Sequence, residues 1–357
     1  MWIKNINLIK FRNYFYESIN FDKDINIFIG DNAQGKTNLI ESIYFLANAK
    51  SFKKIKDVDL ITFGENEMRL KGLIQKKNRF KDVEIKLVNN KKEICVNKIK
   101  YTKNRDLQNI FNIVTFTPED LKIAKEGPSL RRDLFDDIII QINPIYKKLK
   151  SSYLRILDNR NKLLKKRRDK YFNEELLAND EQISKVGFEI EKYRKKYVKI
   201  VEKYASNIQK ELTNNNEILE IKYIPDLNVD SFEEYKKMLF SNRKVDFEKL
   251  TTSSGVHRDD IKIYINGKDI RNFASQGQQR SVVLVIKLAS VKMLFELKNE
   301  KAIVLLDDVF SELDEKRSKF LLKNLKGFQT IITSTDFTNI EKMKNTKVRR
   351  IVKGHLV

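Results

Sequence analysis

Apolar and polar residues alternate in the first part of the chain, and this pattern predicts β-strands. Alternation runs from Trp2 to Phe11 and returns more briefly over Glu17 to Phe21, whereas Ile25 to Ile29 is apolar with a single asparagine. Alternation is typical of a strand with one buried face, and a short apolar run indicates a more deeply buried strand. Further alternating runs between Glu67 and Val96 predict an antiparallel β lobe beside these strands.

Apolar residues in the middle of the chain recur at helical spacing. One series runs from Leu149 to Leu164, and a second runs from Ile183 to Ile208 in steps of three and four. This spacing places the apolar side chains on one face of each helix. The segment Lys165 to Asp180 is charged and contains two asparagines, so we expect a hairpin of two antiparallel helices. The alternative is two helices packed on a globular core without projecting from it.

The rest of the chain predicts mixed structure. Buried or alternating strands are expected over Ile113 to Phe116, Ile261 to Ile265, Ala302 to Leu306 and Thr330 to Ile332. A helix start is expected at Pro118, a hairpin turn at Asn266-Gly267, and a long helix over Gln276 to Leu297. We therefore expect the long helices of the middle segment to be inserted into an α/β domain.

Composition and charge bound the kind of protein. The chain has 357 residues, of which 41% are hydrophobic, which is enough for a sizeable core. Its 71 basic and 49 acidic residues give a formal charge of +22, which favours an anionic partner such as nucleic acid. Cys95 is the single cysteine, so an internal disulfide is excluded. No apolar run reaches membrane-spanning length, and we expect a cytoplasmic protein with no membrane partner.

A glycine-rich segment follows the apolar run that ends at Ile29. Its pattern is G-x-x-x-x-G-K-T, and its residues are Gly30, Asp31, Asn32, Ala33, Gln34, Gly35, Lys36 and Thr37. The glycines let backbone N–H groups turn toward phosphate oxygens, and the following helix presents the positive end of its dipole. We expect Lys36 to hold the β- and γ-phosphates and Thr37 to bind Mg²⁺. The segment predicts an ATP site, and a chance glycine-rich turn is the alternative.

Two acidic residues end the apolar run Ile303 to Leu306 and match a Walker B strand. Such a strand is expected beside the phosphate-loop strand, where Asp307 reaches the Mg²⁺ shell. Asp308 is placed one residue further, as the general base that polarises the attacking water. The alternative, a strand that ends in solvated acids, is less compatible with a Walker A motif in the same chain.

A second helix N-terminus of the kind that binds phosphate is predicted about thirty residues before the Walker B strand. The segment Ser275-Gln276-Gly277-Gln278 begins a helix, with Ser275 as its cap and Gly277 allowing close backbone approach. In ABC-type ATPases an S-x-G-Q element completes the partner's site across a dimer. The segment Ser311 to Asp314, which follows the Walker B acids, matches the loop that couples the two sites of such dimers.

Several segments together resemble the RecF family of bacterial DNA-repair ATPases, from the N-terminus to about Ser334. They are Phe11 to Tyr14, Gly30 to Ile43, Phe116 to Leu121, Gly127 to Ser129 with Arg131-Arg132, Gly255 to Asp260, the helix that begins with Ser275-Gln276-Gly277-Gln278 (called the signature segment below), and Leu305 to Asp314. Val256 stands where the family has proline, which is a local departure.

The resemblance implies an α/β fold: a P-loop, ABC/SMC-type head with an antiparallel β lobe and an inserted long-helix lobe. It implies an ATP-dependent homodimer that binds duplex DNA and single-strand/double-strand junctions, and that acts with RecO and RecR to load RecA. A weak, DNA-stimulated ATPase would serve as a switch. By analogy, Arg12 and Asn32 assist nucleotide binding, and Ser275 contacts the partner's γ-phosphate. Thr333 to Thr335 occupies the region where ABC transporters have a histidine.

The expected division is residues 1–125 and 251–357 for the two parts of the head and 126–250 for the helical lobe.

Two other functions share some of these motifs: the nucleotide-binding subunit of a membrane transporter and a P-loop metabolite kinase. A transporter subunit is shorter, lacks the middle helices and usually carries the downstream histidine, and a kinase needs no S-x-G-Q segment. The lysines of 147–170 are candidate DNA contacts, although a charge run is more often a solvated helix face.

Overall fold

Two compact units make up the protein. The structure, a computed structural model, describes residues 1–53, 55–77, 79–101, 107, 112–166, 172–335 and 347–357. Residues 1–121 and 283–357 form the first unit, and residues 122–282 form the second. The predicted boundaries after 125 and 250 remain a prediction. In the structure, residues 251–282, which include the predicted signature segment, lie in the second unit.

Strands and helices are numbered in chain order. The strands are β1 (Trp2–Phe11), β2 (Tyr14–Asn20), β3 (Ile25–Ile29), β4 (Glu67–Lys76), β5 (Arg79–Val88), β6 (Lys91–Val96), β7 (Ile99–Tyr101), β8 (Ile113–Phe116), β9 (Leu219–Ile224), β10 (Asp260–Ile265), β11 (Lys268–Asp269), β12 (Ile303–Asp307), β13 (Thr330–Ser334), β14 (Lys347–Val352) and β15 (His355–Leu356). The helices are α1 (Lys36–Asn48), α2 (Lys122–Lys125), α3 (Pro128–Ile142), α4 (Pro144–Leu164), α5 (Phe172–Thr213), α6 (Phe232–Ser241), α7 (Arg243–Lys249), α8 (Ile270–Phe273), α9 (Gln276–Lys298) and α10 (Glu315–Leu325).

A mixed sheet of order β15-β14-β3-β13-β12-β8 carries the candidate site of the first unit. All its neighbouring strands pair in parallel except β15, which is antiparallel to β14. Parallel strands bring their carboxyl ends to one edge, where ligands of open α/β sheets bind. The glycine-rich segment follows β3 at this edge, and Asp307 ends β12. The expectation that β12 lies directly beside β3 was wrong, because β13 pairs with both of them.

An antiparallel sheet of order β2-β1-β4-β5-β6-β7 forms the rest of the first unit. Helix α1 contacts strands of this sheet and of the mixed sheet. Its buried apolar residues join one core with the inner faces of β1, β4 and β5. The predicted antiparallel β lobe is therefore confirmed, and the helix that opens the phosphate site is fixed by packing on two sides.

The second unit is built around the 42-residue helix α5. This helix packs against α3, α4, α6 and β9, and β9 belongs to a three-stranded sheet of order β11-β10-β9. Buried residues occur along α5 from Phe172 to Leu212. The two long helices therefore pack on other elements of their unit, as in the alternative of helices packed on a core, rather than standing alone as a bare hairpin.

Most predicted elements are present with shifted ends. Helix α5 already begins at Phe172, within the segment Lys165 to Asp180 that was expected to separate the long helices. Residues 167–171 of that segment lie outside the described residues. At Pro118 only a 3-10 turn and the short α2 form, and the main helix α3 begins at Pro128. No helix among the described residues is long and apolar enough to cross a membrane.

Candidate nucleotide-binding site

The predicted phosphate loop joins β3 to the start of α1. Gly35 caps this helix with a φ of 113°, in the left-handed region, and provides no side chain for the first-turn N–H groups. A Cβ at Gly35 would lie 2.6 Å from the Asn13 side-chain nitrogen, so another residue would displace Asn13 as well as strain the backbone. Asp31, Asn32 and Ala33 are exposed. The loop is thus an open turn in front of an uncapped helix start, the arrangement that binds anions.

Lys36 folds its side chain back across this loop. Its Nζ donates hydrogen bonds to the carbonyl oxygens of Gly30, at 2.6 Å, and Asp31, at 2.7 Å. Burial lowers the pKa of Lys36, and the negative charges of Asp308, Asp307 and Asp31 oppose this effect. A partly desolvated ammonium is a strong partner for a phosphate group, since it has little hydration to give up.

Asp307 and Thr37 lie side by side where a metal ion is expected. The Thr37 hydroxyl donates to Asp307 Oδ1 at 3.0 Å, and the Thr333 hydroxyl reaches the same oxygen at 2.8 Å. Burial raises the pKa of Asp307, and the two hydroxyl groups counteract it. Mg²⁺ prefers oxygen ligands and uses few protein side chains together with phosphates and water. The residue pair fits such an ion, although the described residues contain no cluster of three or more His, Cys, Asp or Glu that could hold a metal by itself.

Asp308 has a backbone conformation that few residues adopt. Its φ is 50°, and its N–H donates to the Thr333 carbonyl oxygen at 3.1 Å. Its Oδ1 atom is buried and has no hydrogen-bond partner among the described residues. An unpaired buried carboxylate oxygen costs free energy, so it indicates a group that is arranged for a ligand.

Two turns that are distant in sequence support the loop. From the β1–β2 turn, Asn13 Nδ2 donates to the Gln34 carbonyl oxygen at 3.0 Å, and the Tyr14 hydroxyl donates to the Gly35 carbonyl oxygen at 3.0 Å. From the β14–β15 turn, the N–H of Lys353 donates to Gln34 Oε1 at 2.6 Å, and that of Gly354 donates to the Gln34 carbonyl oxygen at 3.0 Å. No sequence pattern indicated that Gln34 is held by both turns.

Arg12 lies in the same region, but its guanidinium is paired with the buried carboxylate of Glu41. Its guanidinium donates to both carboxylate oxygens of Glu41, each at 3.0 Å, and to the Asp59 carbonyl oxygen at 2.8 Å. Glu41 is fully buried and also accepts from Lys53. Arg12 thus anchors α1 beside the loop. Its role in nucleotide binding stays a prediction, as does that of the exposed Asn32.

The predicted signature segment opens α9 in the second unit. The Ser275 hydroxyl accepts from the Gln278 N–H at 3.2 Å, and Gln278 Oε1 accepts from the Ser275 N–H at 2.9 Å. This reciprocal pair is a capping box. Gly277 follows the exposed Ser275, and its carbonyl oxygen accepts from Ser281 at 2.9 Å. The expected serine cap of this helix is confirmed.

Motifs that are far apart in sequence meet in a buried network of the second unit. Arg194 donates to Asp136 through two nitrogens, at 3.0 and 2.9 Å, and to Asp259 at 2.7 Å. Arg132 donates to the Asp259 carbonyl oxygen, and Arg131 pairs with Asp260. The segments Arg131-Arg132 and Gly255 to Asp260 were noticed only through the family resemblance, and periodicity gave no indication that they touch.

Comparisons with known proteins identify the family of the chain. The family model described as RecF/RecN/SMC N terminal domain matches residues 2–355. The DNA replication and repair protein RecF of Clostridium perfringens strain 13 is 41% identical over 362 residues, covering 100% of this chain and 99% of the relative. The chain belongs to the RecF family. The DNA replication and repair protein RecF of Clostridium novyi strain NT is 42% identical over 353 residues, covering 98% of this chain and 97% of the relative.

Solved structures extend the RecF-family match to three dimensions. The recombination mediator protein RecF-ATP in the RecFOR pathway has a TM-score of 0.91 and 35% identity, and the match covers 100% of this chain and 97% of that one. The Smc head domain of Pyrococcus furiosus has a TM-score of 0.58 at 15% identity, covering 99% and 95%, and supports the fold alone. The expected ABC/SMC-type head fold is confirmed. The family match continues past Ser334, the expected end of the resemblance, to residue 355.

Proposed function

We propose that this RecF-family chain is an ATP-dependent DNA-binding protein of recombinational repair and replication restart, with hydrolysis acting as a switch. The observation that carries the proposal is the edge of the mixed sheet, where an uncapped helix start, Lys36 and the Asp307–Thr37 pair lie together with the unpartnered Oδ1 of Asp308. A kinase or a structural protein does not need these nucleotide-site groups in combination with the capped helix start at Ser275.

On the phosphate side of the site, Lys36 would exchange its carbonyl partners for phosphate oxygens. In the structure, Lys36 Nζ is held by the carbonyl oxygens of Gly30 and Asp31. When ATP binds, this ammonium would turn to the β- and γ-phosphates, and the N–H groups of the first turn of α1 would hold the phosphate chain. The carbonyl pair keeps Lys36 near its working position beforehand, which reduces the ordering required on binding.

The two acids would divide the chemistry between them. Asp307 and Thr37 would hold Mg²⁺, which when bound offsets charge on the transferring phosphoryl group. Asp308 would orient the attacking water through its free oxygen and accept its proton. Thr333 would act on both acids indirectly, because it bonds Asp307 through its hydroxyl and Asp308 through its carbonyl oxygen.

A second copy of the chain would complete each site. The Ser275 hydroxyl and the first turn of α9 form a phosphate-type helix start, while the chain's own ATP would already be held by α1. In an ATP-bound homodimer, Ser275, Gly277 and Gln278 of one copy would therefore meet the γ-phosphate held by the other. This closure makes ATP the control of dimerisation.

DNA and the recombination mediators are the proposed partners. The charge of +22 supports binding to phosphate backbones, and family membership supports action on duplex DNA and single-strand/double-strand junctions. By the same analogy, the protein acts in the cytoplasm with RecR and RecO to load RecA, and its ATPase is weak and stimulated by DNA.

Asp308→Asn tests this proposal, because it removes the base and leaves the remaining ligands in place. Sedimentation velocity with ATP, with and without duplex DNA, should reveal a dimer that persists in the variant but decays with hydrolysis in the wild type. Hydrolysis should fall by about 10²-fold or more. A variant that hydrolyses ATP at the wild-type rate, or a wild type that stays monomeric with ATP and DNA, contradicts the proposal.

A further inference from the structure

One sector of the long helix α5 is lined by lysines alone. At 100° per residue, the positions of 185–210 that fall within a sector of about 60° centred opposite the buried face are Lys185, Lys192, Lys196, Lys199, Lys203 and Lys210. All six are exposed, and no other residue type occupies the sector over this length. The row, called the lysine stripe below, spans about 37 Å at 1.5 Å per residue.

The lysine stripe lacks the compensation usual for a solvated helix face. Exposed faces generally alternate opposite charges three or four residues apart. Here Lys192 pairs with Glu189 at 2.5 Å, whereas Lys185, Lys199, Lys203 and Lys210 have no ion pair with any described residue. The spacings 192/196, 196/199 and 199/203 place like charges next to one another, which destabilises a helix. A partner that neutralises the row would offset this cost.

We propose that the lysine stripe is a docking surface for the phosphate backbone of duplex DNA. The inference rests on the proposed DNA binding and names the surface that performs it. A straight row of cations matches a stiff polyanion, and its length of about 37 Å is close to one turn of B-DNA, about 34 Å. Ammonium groups on flexible stems contact phosphates without reading bases. The row does not include the lysines of α4, which were candidates from the charge run alone.

A pair of matched variants tests the lysine stripe. One replaces Lys185, Lys199, Lys203 and Lys210 by glutamine; the other replaces four exposed, scattered lysines, Lys91, Lys98, Lys237 and Lys268, and removes the same net charge. Duplex affinity is measured as a function of salt concentration. The stripe variant should lower the magnitude of the log–log salt slope by up to about 3 to 4, at about 0.9 for each phosphate that is no longer neutralised. The scattered variant should change the slope by less than about 1.

Neither variant should unfold at a lower temperature than the wild type, and ATP affinity should be equal in both, which excludes a folding defect. Equal salt slopes for the two variants, or weakened binding of single-stranded DNA alone, overturn the docking surface while leaving the proposed function standing. A wild-type protein that fails to bind duplex DNA overturns the proposed function itself.

Glu217, in the turn between α5 and β9, holds two glutamine side chains. Its Oε1 accepts from Gln278 Nε2 at 2.9 Å, and its Oε2 accepts from Gln209 Nε2 at 2.6 Å. Gln209 is fully buried on α5. The Gln278 amide is therefore fixed at both ends, with its oxygen on the Ser275 N–H and its nitrogen on Glu217.

We infer that Glu217 is a positioning residue for the signature segment, acting through Gln278. It holds the capping box of α9 in one geometry, so that Ser275 faces a ligand without reorganisation. This inference also rests on the proposed composite site. It identifies a residue outside the signature motif on which closure around the partner's phosphate would depend.

Glu217→Ala should lower ATP hydrolysis by about tenfold or more, with ATP affinity of the monomer unchanged, since the chain's own phosphate loop is untouched. Glu220→Ala on β9, whose carboxylate pairs with the exposed Lys222 at 2.9 Å, is the matched control and should have no effect. Gln278→Ala should lower the rate at least as much as Glu217→Ala, and the double variant should be no slower than Gln278→Ala alone. Glu217→Gln, which keeps one acceptor, should recover part of the rate.

Rate reductions that multiply in the Glu217→Ala/Gln278→Ala variant, or a Glu217→Ala rate equal to that of the Glu220→Ala control, overturn the positioning role. The proposed function has a separate test, because Ser275→Arg blocks the composite site whether or not Glu217 acts on it.

Discussion

Asp307 and Asp308 are adjacent residues whose carboxylate groups differ in their hydrogen-bond partners. Asp307 accepts from two threonine hydroxyls, whereas one carboxylate oxygen of Asp308 is buried without a partner among the described residues. Their position at the end of β12 could be predicted from the Walker B pattern, because the apolar run fixes where the strand ends, and their roles stay predictions. The contribution of Thr333 could not be predicted, since its contacts depend on β13 lying between β3 and β12.

His257 makes folding stability depend on pH. Its Nε2 lies 3.1 Å from the Thr252 carbonyl oxygen and its Nδ1 lies 2.8 Å from the Tyr153 hydroxyl, so the neutral ring donates to Thr252 and accepts from Tyr153. Burial lowers its pKa below the ordinary 6.5. The unfolded chain then binds the proton more readily, and the stabilisation present above about pH 6.5 is lost as the pH falls through the folded pKa.

Urea unfolding of the wild type and of His257→Gln at pH 7.5 and 5.5 checks this pH dependence. The wild type should lose more stability than the variant between these two values, at no more than about 1.4 kcal/mol per pH unit. His355, the other histidine, is exposed and is present in both proteins. Parallel pH dependence of the two would contradict a neutral, buried His257.

At the scale of elements, strands with a clear pattern were easier to predict than those held by their neighbours. β1, β12 and β13 follow from alternation or from apolar runs. β14 was missed because Arg349 and Arg350 interrupt any apolar pattern. Its pairing with β3 supplies what its sequence lacks, and the Arg349 guanidinium lies over the Phe28 ring at 5.5 Å.

The β14–β15 turn should influence nucleotide binding from far along the chain. Gly354 has a φ of 79°, and a Cβ there would collide with the Asn13 carbonyl oxygen. Gly354→Ala should therefore push the turn away from Gln34. The dissociation constant for ATP should rise several-fold, which corresponds to about 1 kcal/mol of binding free energy. Gly64→Ala is the control, because Gly64 has a similar φ of 85° but no atom near its Cβ position among the described residues. Calorimetric titration with ATP should separate the two, and equal affinities would contradict this role of the turn.

At the scale of the whole molecule, motif order carried more information than any single motif. The phosphate loop, Walker B acids and signature segment pointed to an ABC-type head, which the fold confirms. The phosphate loop and Walker B acids meet within the first unit because parallel strands share an edge. The buried network around Arg194 could not be predicted, because its members come from α3, α5 and the segment before β10 with no shared spacing.

In the proposed homodimer, each ATP site is shared by two copies of the chain. Ser275→Arg places a bulky cation at the start of α9, and Lys36→Met removes the ammonium that is proposed to hold the phosphates. Each variant alone should be inactive, although Ser275→Arg should still bind ATP. In a mixed dimer, one site combines both defects and the other combines an intact Lys36 with an intact Ser275.

The decisive measurement is the ATPase rate of an equimolar mixture of Ser275→Arg and Lys36→Met proteins with duplex DNA. Random pairing makes half of the dimers mixed, so the mixture should recover up to about a quarter of the wild-type rate per chain. A mixture as inactive as its components, or a Ser275→Arg protein that dimerises and hydrolyses ATP normally on its own, would contradict the shared site.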